Sequence, residues 1–146
     1  MLARPGPRSL AIGAGIAAAG EIIRIWASGH LEKGREVTSS GPYSFTRHPL
    51  YLGSTVMGIG LAIASGSAAV GAIVVVYLAV TLTAAIRTEE AHLTAKFGDA
   101  YPEYRAGRGA VPRPFSLSRA IRNREYRAVI GLAVALAVIA WKAYAR

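Results

Sequence analysis

Gly41 to Gly53 read GPYSFTRHPLYLG, and a long apolar run begins at Leu50. The stretch sets a guanidinium (Arg47), an imidazole (His48) and two phenols (Tyr43 and Tyr51) at the mouth of that run. Pro42 and Pro49 fix their own φ and bias the preceding residues away from the helical region. The approach to the helix is therefore held rather than loose. Polar groups of these types at a water–lipid boundary form the wall of a site for a polar ligand. The rest of the chain is read as what surrounds and completes it.

Working outward, Leu50 to Ala64 is apolar, Ser65-Gly66-Ser67 makes a tight turn, and Ala68 to Ile86 is apolar again. These two segments form a hairpin with an uncharged tip. The first is short against the ~20 residues that a full span needs. Residues 87–97, RTEEAHLTAKF, contain no helix breaker, so the third helix continues into water and stops at Gly98. Upstream, Leu10 to about Trp26 forms a retained helix rather than a cleaved signal, because Glu21 and Arg24 interrupt it. Ser9 is its expected N-cap. Glu21 and Arg24 are three apart and share a face. Gly13, Ala17 and Gly20 would let another helix approach closely, and this stripe leaves a homodimer open. Downstream, 116–126 reads as a basic interfacial helix whose Arg119, Arg122 and Arg124 meet anionic headgroups. Ala128 to Trp141 is a fourth apolar segment.

The fold expected is thus all-α: one polytopic membrane bundle over 1–146, with about four transmembrane helices (9–28, 50–64, 67–86, 127–145) and a helical extension into the cytoplasm. Composition agrees, being 53% hydrophobic but only 8% aromatic. The net charge of +9 raises nucleic acid as a partner. The basic residues flank the apolar segments, however, which is the pattern of membrane topology, and no nucleic-acid partner is expected. Loops 28–49 and 87–127 carry 12 Lys and Arg against 4 at the opposite ends, which puts both loops in the cytoplasm and the chain in the inner membrane. No cysteine is present, so disulfides and thiolate chemistry are excluded. The three histidines, His30, His48 and His92, lack metal-ligand spacing, so no metal is expected.

The hairpin returns residues 87–92 to the neighbourhood of residue 50. Arg87, Glu89, Glu90 and His92 should therefore meet Tyr43, Arg47, His48 and Tyr51. Arg47 suits a carboxylate or phosphate. Glu89 and Glu90, about 100° apart on a helix, suit an ammonium and an anchoring cation. The tyrosines and His48 suit a flat heterocycle. S-adenosylmethionine carries a carboxylate, an ammonium and a purine, together with a sulfonium that aromatic faces and acids stabilise.

GPYSFTRHPLYLG followed by RTEEAHLTAKFGDAYPEYRAGRGAVPRP resembles the isoprenylcysteine carboxyl methyltransferase and phospholipid methyltransferase superfamily. The shared pattern is GPY, RHPxYxG, a transmembrane hairpin, RxEE, FG, YxxY and a Pro-Arg tail, over roughly 38–115. The resemblance implies an integral membrane enzyme that uses S-adenosylmethionine on a lipophilic acceptor entering from the bilayer. It implies that Arg47 and His48 line the cofactor pocket, that Pro49, Tyr51 and Gly53 shape it, and that Glu89 and Glu90 are the acidic pair. Gly58-Ile59-Gly60 is similar to a glycine-x-glycine element of the phospholipid branch. Arg87 matches an arginine used near the transferring methyl in the isoprenylcysteine branch, although only Thr81 and Thr83 precede it where that branch has acids. The transfer implied is in-line attack on the sulfonium methyl, which relies on positioning and electrostatics. An amine or thiol acceptor needs a base, for which His48, His92 and Glu90 are candidates. Two other readings stand beside this one: an NADPH-dependent reductase, since sterol reductases share a related RHPxYxG region, and a non-catalytic membrane protein.

Overall fold

A computed structural model of the chain describes residues 3–32, 38–98 and 113–145. Among the described residues every regular element is helical. The elements are α1 (Pro7–His30), a 3-10 turn (Gly41–Ser44), α2 (Pro49–Ala64), α3 (Ala68–Phe97), α4 (Leu117–Arg122) and α5 (Tyr126–Tyr144). Three helices, α1, α3 and α5, are long and apolar enough to cross a membrane, and α2 is a shorter apolar helix. The chain is an integral membrane protein. At 16 residues, α2 is ~24 Å long at 1.5 Å per residue, short of the ~30 Å hydrocarbon core. By the same rise the 30 residues of α3 reach ~45 Å and carry Glu89 and Glu90 beyond the apolar slab.

The tightest packing is between α1 and α2. Gly13, Ala17 and Gly20 of α1 face Gly53, Met57, Gly60 and Ala64 of α2. The backbones themselves touch: a Cβ on Gly20 or on Gly53 would lie 2.7 Å from the other's carbonyl oxygen. The small-residue stripe that left a dimer open is therefore filled from within the chain. The hairpin partner α3 packs more loosely on α2, because Gly53, Gly60 and Ala64 are turned toward α1. Gly58 alone of the α2 glycines meets α3, at Leu78. None of the apolar window of α3 is buried inside protein, and in α5 only Leu132 is, as expected of helices that turn most of their surface to lipid.

Helix ends account for most of the departures from the sequence reading. Helix α1 begins at Pro7, with Gly6 as N-cap. Proline suits this first position because its missing N–H has no helical partner there. Ser9 sits three residues inside; its Oγ accepts from Gly6 N–H and donates to Gly6 O, both at 3.0 Å. Arg4 N–H donates to Ser65 O at 2.8 Å, which places the N-terminal segment beside the α2–α3 turn.

At its other end α1 runs to His30, past the expected boundary at 28. Its last carbonyls would be orphaned in an apolar setting. Instead Asn123 Nδ2 donates to Ser28 O and Leu31 O at 3.0 and 2.9 Å, and Arg119 Nη1 donates to Gly29 O at 2.6 Å. Arg119 also pairs with Glu32 at 2.7 Å and is largely buried. It is a cap of α1 rather than a headgroup ligand, and the residues around 113–125 close the end of the bundle. Arg122, 3.7 Å from Glu32, is mostly exposed.

Candidate functional site

The site forms where α2 starts and the extension of α3 passes. Gly41 has φ +59 and lies flat on the His30 ring, with no room for a Cβ. His30 Nδ1 is 3.2 Å from Ser40 Oγ, and Trp26 and Phe115 flank the same ring at centroid distances of 6.5 and 6.2 Å. The end of α1 thereby fixes the Gly41-Pro42-Tyr43 turn, in which Pro42 and Tyr43 are buried. No local rule of sequence marks His30, because its partner Gly41, which needs positive φ, comes against the ring only in the folded chain.

His48 is the N-cap of α2 and Pro49, fully buried, is its first residue. The His48 carbonyl accepts from the N–H groups of Tyr51 and Leu52 at 3.1 and 3.0 Å, so its imidazole is free of capping duty. The ring turns to α3. His48 Nε2 is 3.0 Å from Glu90 Oε1, and Arg47 Nη1 donates to the same oxygen at 3.1 Å. A carboxylate only accepts, which assigns the proton to His48 Nε2. His48 Nδ1 lies 4.0 Å from Glu89 Oε2, and the Tyr51 side chain hydrogen-bonds Glu89. The His48 and Tyr51 rings lie 5.7 Å apart and 34° from parallel. The structure thus joins Arg47 and His48 to Glu90 across 43 and 42 residues of sequence, with Tyr51 on Glu89 beside them.

Other expected members lie elsewhere. Arg87 is exposed and, among the described residues, has no polar partner. His92 is likewise exposed. Gly53 faces α1, with the Arg24 stem and Gly20 O against it. Its smallness serves helix packing rather than the wall of the site. Gly58 and Gly60 also diverge, one toward α3 and one toward α1. Tyr101 and Tyr104 lie outside the described residues.

Directly above the cluster, α2 and α3 leave an open groove of about 340 Å³, lined by residues that include Thr55, Ile59, Val75, Leu78, Ala79 and Ile86. Thr55 is one turn beyond Tyr51, and Ile86 one turn before Glu90. The groove thus begins one helical turn from the polar cluster and lies between the two helices that carry the site.

The donor set can be tested against a cationic ligand. Arg47, Glu89 and Glu90 sum to one negative charge with the imidazole neutral. Arg47 engages Glu90 through one Nη, and its side chain is 40% exposed, so the rest of its planar fork faces outward. Glu89 is also partly exposed, at 42%. A ligand that is cationic overall and carries its own carboxylate fits these groups.

A helical membrane protein with a paired-acid, imidazole and guanidinium cluster at the lipid boundary defines the class. The chain belongs to the phospholipid methyltransferase family, whose model matches residues 11–100. It is similar to the cobalt-zinc-cadmium resistance protein CzcN of Cupriavidus metallidurans, with 35% identity over 83 residues, covering 56% of this chain and 38% of that one. It is also similar to the nickel-cobalt-cadmium resistance protein NccN of Alcaligenes xylosoxydans xylosoxydans, with 34% identity over 76 residues, covering 51% of this chain and 36% of the relative. The match thus spans little more than a third of these curated relatives. No solved structure matches the chain.

Proposed function

We propose that the protein is an S-adenosylmethionine-dependent membrane methyltransferase acting on a lipophilic or membrane-associated acceptor. The observation that carries this reading is Glu90, held at 3.1 and 3.0 Å by Arg47 and His48 at the foot of an apolar groove. S-adenosylmethionine supplies an electrophilic methyl group when bound. Glu89 and Glu90 would hold its cationic groups, the outward part of the Arg47 fork its carboxylate, and the His48–Tyr51 face its purine. The groove between α2 and α3 would take the apolar part of the acceptor from the bilayer and bring its polar end to the cluster. Arg87 has a place in this scheme only if it reaches an acceptor, since it does not touch the cluster. The basic loops favour a cytoplasmic position for the site.

The test is methyl transfer. Purified protein in liposomes is incubated with methyl-labelled S-adenosylmethionine and a lipid extract of native membranes. The reading predicts label in the organic phase, abolished in Glu90→Gln. Label that remains in the aqueous phase at the level of a protein-free control would contradict it.

A further inference from the structure

The buried ionic cluster between α1, α2 and α5 lies outside the candidate site, yet it grips the turn that carries the site. Arg24 reaches from α1 over Gly53, with its Cγ 2.6 Å from where a Cβ would stand. Its Nη1 donates to Ser54 Oγ and, at 3.5 Å, to Leu50 O. Ser54 Oγ in turn donates to Leu50 O at 2.9 Å. The guanidinium thereby locks the first turn of α2, the same turn from which His48 and Tyr51 project. On its far side Arg24 Nε is 2.8 Å from Glu125 Oε1 and 3.7 Å from Glu21 Oε2. Both carboxylates are buried, Glu21 at 5% and Glu125 at 6% exposure.

Ionisable groups at this depth are costly unless paired, and packing alone does not require them. A leucine in place of Arg24 would cover Gly53 as well but would leave Ser54 and Leu50 O ungripped. We propose that Arg24 is a positioning residue for the candidate site. It sets the first turn of α2, and Glu125, one residue before α5 and outside the part of the chain that matches the family, fixes Arg24 in that pose. Through this pair the C-terminal helix supports the His48–Tyr51 wall. The proposal rests on the reading of that wall as a cofactor site.

The test uses the whole protein in detergent, with variants Arg24→Met, Arg24→Lys, Glu125→Gln and Ser54→Ala. Ser9→Ala, which loosens α1 at its opposite end, serves as the stability control. Two readouts are taken: affinity for S-adenosylhomocysteine by calorimetry, and the His48 side-chain resonances in 15N-histidine-labelled protein without ligand. Arg24→Met should weaken binding by about tenfold, the lower end of what losing a supporting shell costs, and should shift the His48 resonances. Glu125→Gln and Ser54→Ala should do the same to a smaller extent, and Arg24→Lys should recover part of the loss. Ser9→Ala should lower the melting temperature and leave both readouts alone. Wild-type affinity and unmoved His48 resonances in Arg24→Met would overturn the proposal. If Arg24→Met does not fold, the same result in Ser54→Ala and Glu125→Gln would overturn it. A wild-type protein that does not bind S-adenosylhomocysteine would sink the cofactor reading instead, and the His48 resonances would still decide whether Arg24 positions the turn.

Discussion

Replacing Gly60 with alanine adds one methyl group at the point where α1 and α2 come closest. That Cβ would stand 2.6 Å from Gly13 O and 2.7 Å from Ala17 Cα, and closer still to Ala17 N. Ordinary contacts begin at 3.4 Å, so relieving the Gly13 O contact alone needs the helices to part by 0.8 Å, and Ala17 N needs more. The obstructing atoms are backbone, so no rotamer change relieves the clash. Overpacking of this kind costs about 1–3 kcal/mol. For a chain of this size it lowers the melting temperature by roughly 5 °C. The control is Gly15→Ala on the same helix, where an added Cβ meets nothing within 4 Å. There the only change is helix propensity, which favours alanine by up to about 1 kcal/mol. Thermal unfolding in one detergent, followed by helical circular dichroism, should therefore place Gly60→Ala below wild type and Gly15→Ala at or above it. If Gly60→Ala melts with Gly15→Ala, the close α1–α2 contact is wrong, and so is the account of how Arg24 lies over Gly53.

Other outcomes follow from the same geometry. Arg119→Ala uncovers Gly29 O and leaves Glu32 only the longer 3.7 Å contact to Arg122, so it should destabilise by about 1–3 kcal/mol, whereas the exposed Arg122→Ala should stay within about 0.5 kcal/mol; chemical unfolding compares the two. Arg119 beside Glu32 holds that carboxyl below its ordinary value of 4.5. The stabilisation this brings is complete above the ordinary value and is lost as pH falls through the lowered one, so Glu32→Gln should flatten the decline in melting temperature on that acid side. Ala79→Trp fills the groove between α2 and α3; it should reduce methyl transfer to lipid acceptors and leave S-adenosylhomocysteine affinity within about twofold, since Ala79 lines the groove and not the polar cluster.

The sequence was most informative where one local rule governs. Apolar length marks the helices, with α2 starting at Pro49, one residue before the expected Leu50, and Gly98 marks the end of α3, where its φ of +54 and its N–H bond to Thr94 O fit the expectation. The meeting of Arg47 and His48 with Glu90 was legible because a short turn between two apolar runs returns the chain to its starting depth. What was not legible depends on which face of a helix turns to which partner. Gly53 belongs to a site-bearing motif, yet it faces α1, because a side chain 29 residues away needs its space. Arg119 reads as a surface cation from its basic neighbours, and only the carbonyls at the end of α1 reveal it as a cap. His30 and Gly41 are eleven residues apart with no periodic link between them. The short turn makes α2 and α3 a hairpin, but the small residues of α2 line up with those of α1, and backbone contact follows the small residues rather than the shortest loop.

The most direct measurement is calorimetric titration of purified wild type and Glu90→Gln with S-adenosylhomocysteine and, separately, NADPH. Saturable binding of the first is expected, weakened at least tenfold in Glu90→Gln because the hydrogen bonds from Arg47 and His48 lose their charge assistance and the ligand's cationic groups lose a carboxylate, and no binding of the second. NADPH binding alone would move the site to reductase chemistry. Silence from both ligands, in protein whose melting curve shows it to be folded, would contradict a cofactor site at His48 and Glu90.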